Sequence, residues 1–400
     1  MARTSPFRIA CAILLLAAPA LAQRQLQPPR PNRLGWPEVF EPTRLLHLGL
    51  TMAPADWLTV QTDTSFSIEV PGWFALSGEA PILVSVRRKS CDALNAGTGF
   101  QKVSLKIDVN EYVAGQEWHD LKKLSLENGD DEDVVTEGLA WALHRMATAP
   151  EGYSYEAGLA NWATLTINGV YTGVYVNAEQ RDKRFLENRG MWIDNLTWLY
   201  KLGDIYSDVL KAGTGDSLTY LTLCYDPFQR PSGGCSTPPP PAFESEVRAL
   251  IDLQGMLTLG AVNALVSHPD SLFSKGKNIH FADFAFGSKR LYFPWDLDSV
   301  MNNLSWDIYN PGKHYADHLL GAPAIRAEYR QVFTDLLDGP LAEPGIHAFL
   351  DAVEPILTPW LELDPNNRIG TGAAIGGHFQ AKKTWLGQRI PIVRAQIASG

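Results

Sequence analysis

Trp162-Ala163-Thr164-Leu165-Thr166-Ile167-Asn168-Gly169-Val170-Tyr171-Thr172-Gly173-Val174-Tyr175-Val176 is the stretch from which the architecture can be read. Two runs rich in β-branched and aromatic residues flank Asn168-Gly169, a two-residue connection whose positive-φ turn matches the twist of paired strands. The reading is a hairpin of strands 162–167 and 170–179, the second ending on Glu179. Upstream, short alternating runs at 46–50, 67–70, 82–86 and 103–107 are separated by Pro, Gly and Asp and make the segment from 45 to about 108 β-rich. Between them and the hairpin, Val134, Val135, Gly138, Leu139, Ala142, Leu143 and Met146 recur at helical spacing behind an acidic first turn, which predicts a helix over 131–147.

Downstream the period changes. Residues 232–241 end in four prolines and read as a loop or hinge. One long amphipathic helix is expected over 243–266, then two short strands over 278–283 and 290–293, then helices near 322–338, 344–358 and 377–398. The fold class is therefore α+β, β-rich in front and mainly helical behind.

The 400 residues are 45% hydrophobic and 20% charged, a globular composition. With 34 Lys+Arg against 44 Asp+Glu the formal charge is −10, and no Lys/Arg-rich tract offers a phosphate-tracking surface, which excludes a nucleic-acid partner. Arg3 and Arg8 precede the apolar run Ile9 to Ala18, and Ala20-Leu21-Ala22 suits a signal peptidase. Residues 1–22 therefore read as a cleaved signal peptide, 23–42 as an extended lead-in, and the mature chain as secreted, periplasmic or cell-surface. No later apolar stretch reaches the ~20 residues of a transmembrane helix. Of the four cysteines Cys11 lies in the signal, Cys224 and Cys235 are spaced for a local disulfide across a turn-rich segment, and Cys91 is left over. With no Cys-x-x-Cys pair, a structural zinc site is not expected.

Chemistry concentrates between Asp270 and Asp298. Asp270 follows His268-Pro269 at the end of the long helix, Asn278 opens one strand, and Pro294-Trp295-Asp296-Leu297-Asp298 closes the next. Carboxylates and amides at strand ends are hard oxygen ligands of the kind that hold Mg²⁺ while it bridges phosphates. The alternative is that Asp296 and Asp298 only cap a turn after Pro294. His268 and His280, lacking a third partner, read as structural. There is no Gly-x-Ser-x-Gly elbow and no His-Glu-x-x-His helix, so serine-hydrolase and zincin chemistries lack their frames.

Taken in order, Asn168-Gly169-Val170-Tyr171-Thr172-Gly173-Val174-Tyr175-Val176, then Glu179, Asp182 and Phe185-Leu186, then Asp270, Asn278 and Phe293-Pro294-Trp295-Asp296-Leu297-Asp298, resemble the CotH kinase family over roughly residues 45–395. The resemblance implies an atypical protein-kinase-like, bilobal fold over 43–400, with an N-lobe about 43–185 and a C-lobe about 186–400. It also implies that the chain binds ATP with Mg²⁺ or Mn²⁺ and phosphorylates Ser on exported or surface proteins. Residue by residue it makes Asp270 the catalytic base and gives the metal to Asp296 and Asn278. Lys102, with Lys106 as the competing choice, would bind phosphate, Glu137 would be the lysine's ion-pair partner, and Glu179 would lie near adenine. One departure from the family is Arg87-Arg88-Lys89-Ser90-Cys91, where an Arg-Gly-Asn-Ser-like segment is usual. Outside the cytoplasm ATP is scarce, so a non-catalytic envelope protein for adhesion or matrix assembly is the alternative function.

Overall fold

The computed structural model describes residues 35–89, 102–130, 133–148, 155–202, 209–219, 243–285, 289–309 and 319–400. The signal peptide, most of the lead-in, Cys91, the Cys224–Cys235 pairing and the proline-rich hinge lie outside these residues.

Seven strands close into a barrel. They are β1 (Leu46–Thr51), β2 (Val70–Leu76), β3 (Ile82–Arg88), β4 (Leu105–Asp108), β5 (Lys123–Glu127), β6 (Ala160–Ile167) and β7 (Val170–Glu179), in the order β1-β2-β3-β4-β5-β7-β6. All neighbours are antiparallel except the closing pair, where β1 runs parallel to β6 with Leu46 beside Ala163 and Leu50 beside Ile167. Alternation explains the filling, because every second side chain of a strand faces inward. Leu46, Leu48, Leu50, Val84, Val86, Leu105, Ile107, Leu124, Leu126, Leu165 and Tyr175 form one buried cluster. The β6–β7 turn is as expected, with Asn168 at φ 51 and Gly169 at φ 81.

Helix α1 (Pro54–Thr62) packs on β2 and β3. Helix α2 (Val134–Ala147) lies against β6 and β7 on the outside of the barrel. Its first turn is capped by Asp133, whose carboxylate accepts from the backbone amides of Val135 and Thr136 at 2.8 Å each. A short helix α3 (Lys183–Asn188) leads into a second sheet of β8 (Thr197–Leu202), β9 (Val209–Ala212), β10 (Ile279–Phe284) and β11 (Leu291–Pro294), ordered β11-β10-β8-β9.

The single long helix expected over 243–266 is two, α4 (Phe243–Leu250) and α5 (Leu253–Leu265). The break falls where Ile251 bridges to Arg290, whose backbone exchanges hydrogen bonds with Leu250 and Asp252, and Asp252 then caps α5 at Gly255. Helices α6 (Pro323–Asp338), α7 (Glu343–Leu363) and α8 (Ala373–Ser399) complete the chain. Their apolar faces merge with α2, α5 and the outer faces of β6 and β7 in the largest buried cluster. Among the described residues no helix is long and apolar enough to cross a membrane.

One connection between barrel and helices is polar and buried. Asp364, just past α7, accepts the Val174 amide of β7 at 2.8 Å and pairs with Lys102 at 3.3 Å. Gly173, at φ 137, makes this approach possible, since a Cβ there would sit 2.4 Å from the Asp364 oxygens.

Candidate active site

A cavity of about 620 Å³ opens where one end of the barrel faces the four-stranded sheet. Each wall comes from an element already described: Arg87 and Lys106 from β3 and β4, Glu127 at the end of β5, Glu137 from α2, Lys201 and Lys211 from β8 and β9. Asp270, Asn278, Trp295, Asp296 and Asp298 line it from the segments around β10 and β11.

The pairing of Ile279 with Pro294 sets Asn278 beside Trp295 and Asp296. The Trp295 amide donates to the Asn278 carbonyl at 3.1 Å, and the Asn278 side-chain amide approaches the Asp296 carbonyl to 3.5 Å. Both residues sit in the left-handed region, Asn278 at φ 57 and Asp296 at φ 58. Such a conformation costs a non-glycine residue energy and concentrates where surroundings dictate it, as at functional sites.

Beneath this segment lies the buried Arg181. Its guanidinium donates to the carbonyls of Glu179, Ala157 and Pro294 at 2.5, 2.7 and 3.2 Å and packs against the rings of Trp141, Phe185 and Trp295. Burial pulls its pKa down to about 9, partly countered by Glu179. Arg181 thus ties the Pro294–Trp295 backbone, which carries Asp296, to the end of β7.

Asp270 pairs with Lys275 at 2.6 Å and with Lys277 at 3.0 Å. Burial pushes its carboxyl up, but the two ammonium groups outweigh it and hold the group below the usual carboxylate range. Glu137 is the opposite case. It is buried, accepts from the Trp141 indole at 3.3 Å, and is raised well above normal by burial and then by the charges of Glu127, Asp298 and Asp296. Glu127, Asp298 and Asp296 thus concentrate negative charge locally around Glu137. Among the described residues no three His, Cys, Asp or Glu form a ready-made metal cage.

Of the residues expected at the site, the cavity brings together Asp270, Asn278, Asp296 and Glu137, with Lys106. Lys102 and Glu179 do not line it. Lys102 precedes β4, and its buried ammonium donates to the Val174 carbonyl and pairs with Asp364; the Glu137 charge acts on it through space, without a salt bridge between the two. Glu179 is saturated elsewhere, accepting from both Arg189 terminal nitrogens at 2.8 Å, from the Trp36 indole at 2.7 Å and from the Leu159 amide at 3.0 Å. It locks the lead-in and α3 to β7 and has no lone pair directed at a ligand in the cavity.

Lys89 is a cavity residue that sequence reasoning did not single out. It sits at the end of β3 within the segment noted as atypical, pairs with Glu127 and lies 4.8 Å from the centre of the Trp295 ring. The strand period carried the signal: Arg87 and Lys89 share one face and both line the cavity. Arg88, on the other face, is buried with its guanidinium on the Gln61 carbonyl at 2.9 Å. His268 is buried outside the cavity lining, its ring 3.4 Å from the Ser299 carbonyl, and burial lowers its pKa to about 4.

A family model described as CotH kinase protein matches residues 96–390, a span that holds β4 to α7, most of α8 and the Asp270–Asp298 segment. No curated protein matches the chain.

Proposed function

The chain belongs to the CotH kinase family, and from that premise we propose that it transfers the γ-phosphoryl group of ATP to a Ser hydroxyl of an exported or surface protein. The observation that carries the proposal is the meeting of Asp270, Asn278 and Asp296 with Lys89 and Lys106 in one cavity. Phosphoryl transfer asks little covalent chemistry of a protein; it asks for positioning and for charge aimed at the phosphates.

In this reading the acceptor hydroxyl lies against Asp270. Its oxygen bonds to the γ-phosphorus as the bond to the β–γ bridging oxygen breaks, and the hydroxyl proton passes to an Asp270 carboxylate oxygen. Lys275 and Lys277 keep that oxygen ionised until then. Asp296 and Asn278 are the hard-oxygen donors suited to Mg²⁺ or Mn²⁺. They fit, because Mg²⁺ is usually held by one or two carboxylates plus substrate phosphates and needs no cage of protein ligands. The carboxylates of Glu127, Asp298 and Asp296, which act together on Glu137, are a local concentration of negative charge that a divalent cation would relieve. Such an ion would neutralise charge developing on the phosphate oxygens.

Lys89, with Glu127 as its partner, takes the phosphate-binding part that the resemblance gives to Lys102, and Lys106 supports it from the neighbouring strand. The barrel with α2 would be one lobe and the helical part with the second sheet the other.

The test is incubation of the purified chain with γ-labelled ATP, Mg²⁺ or Mn²⁺ and a Ser-rich peptide. The expected result is label on the peptide or on the chain itself, lost in Asp296→Asn. Absence of label in the parent protein would leave the non-catalytic envelope reading in its place.

A further inference from the structure

The cavity has a second end that phosphoryl transfer alone does not account for. Arg87 and Lys106 are directly opposite each other in the β3–β4 register, and Lys123 stands on the next strand. Like charges placed opposite each other across strands destabilise a sheet. Facing them, Lys201 of β8 is the register partner of His280 on β10, with Lys211 on the adjoining edge of β9. Arg87 has Glu69 at 3.8 Å and Lys123 has Asp108 at 2.9 Å. Among the described residues Lys106, Lys201 and Lys211 have no carboxylate in ion-pair range.

The repulsion registers on the lysines: burial, then Lys123 and Arg87, bring Lys106 down to about 8, and burial, then Lys201, bring Lys211 down. His280 is an independent sign. It lines the cavity, is 1% exposed, and its Nδ1 has no hydrogen-bond partner. A buried polar atom left without a partner costs free energy unless a ligand or water supplies one.

A purine base is normally held by apolar and aromatic walls. Here the apolar side chains of the lining are Phe66, Leu210 and Trp295, and the Trp295 ring is already approached by Lys89, Arg181 and His280. His280 is two residues from Asn278, one strand repeat or ~7 Å along the chain. The cation walls thus begin next to the place where the transferred phosphate would lie and continue away from it.

We infer that this end of the cavity is a subsite for a linear oligophosphate, recognised through its phosphates and not through a base. An inorganic phosphate chain and the phosphate tail of a nucleoside triphosphate then compete for the same cations. The inference rests on the transfer reading only in placing the transferred phosphoryl group at the Asp270–Asp296 end.

The test is calorimetric titration of the full chain with sodium tripolyphosphate, ATP and adenosine, without divalent metal. Tripolyphosphate should bind and be displaced by ATP, and adenosine should show no heat. Lys201→Met combined with Lys211→Met should weaken tripolyphosphate at least tenfold, with Lys106→Met as an independent second variant. Because each substitution removes a repelling charge, the ligand-free thermal midpoint should not fall, which separates lost binding from lost folding. Asp296→Asn should abolish transfer without weakening tripolyphosphate.

Failure of tripolyphosphate to bind, affinity unchanged in both lysine variants, or adenosine binding as tightly as ATP would overturn the inference, even if Mg²⁺-ATP still labels a peptide. Lysine-dependent tripolyphosphate binding with no transfer in the parent chain would sustain it while the kinase reading fails.

Discussion

Two lysines thirteen positions apart in sequence put the same side chain in two different surroundings. Lys89 ends over Trp295 and beside Glu127 at the cavity, whereas Lys102 is spent on Val174 and Asp364. Lys89→Met is expected to lower phosphotransfer by at least tenfold while leaving the thermal midpoint nearly unchanged. Lys102→Met is expected to do the reverse, costing about 3–5 kcal/mol because it strands a buried Asp364. Initial rates and denaturant melts on both variants decide it. An equal loss of activity in a fully folded Lys102→Met would return the phosphate role to that residue. That Asp270, Asn278 and Asp296 lie close together was legible because they stand at strand and helix ends, where local pattern fixes position. The lysine was not, because Lys102, Ser104 and Lys106 have the same parity and only the start of β4 at Leu105 decides which of them faces the cavity. Glu179 was misread for a related reason: its partners Trp36 and Arg189 lie far along the chain or beyond the next turn.

Helix α2 carries Glu137 into the cavity, and its orientation depends on the Asp133 cap. Burial raises the Asp133 carboxyl. The His378 ring at 3.1 Å, the Lys382 charge and the Thr136 hydroxyl outweigh that and hold it at about 2, below its ordinary 3.8. A carboxyl depressed by folding adds stability that is complete above its unfolded pKa and is lost as pH falls through the folded one. The Asp133 contribution is therefore whole above about pH 4 and gone near pH 2, a loss of about 2 kcal/mol. Asp133→Asn retains a capping oxygen but cannot titrate, so urea melts at a series of pH values should show a flatter acid limb between pH 4 and 2. An unchanged limb would remove Asp133 from that role. The helix itself was readable from its apolar spacing, as were the Asn168-Gly169 hairpin and the β10–β11 pair. The break between α4 and α5 was not, because it is imposed by Arg290, forty residues downstream, bonding across Ile251.

At the scale of the molecule, the barrel and the helices are joined through a charge pair as well as through apolar packing. Lys102→Met and Asp364→Leu should each destabilise strongly, while the double variant should lose much less than the sum. A buried pair replaced by apolar groups leaves no charge uncompensated. Additive losses in the double-mutant cycle would mean that the two side chains are not coupled. The α+β class was legible, since hydrophobic period separates front from back. Closure of the barrel was not, because β5 (Lys123–Glu127) carries charge at both ends and the parallel contact of β1 with β6 spans more than a hundred residues.

That closure also bears on self-association. A sheet with open edges presents unpaired amides and carbonyls on which another chain can build, and a closed one presents none. The seven barrel strands are thus removed from edge-to-edge aggregation, leaving β9 and β11 as the outer strands of the second sheet. Both are only four residues long; β9 carries Lys211 and β11 ends on Pro294, which has no amide hydrogen to offer.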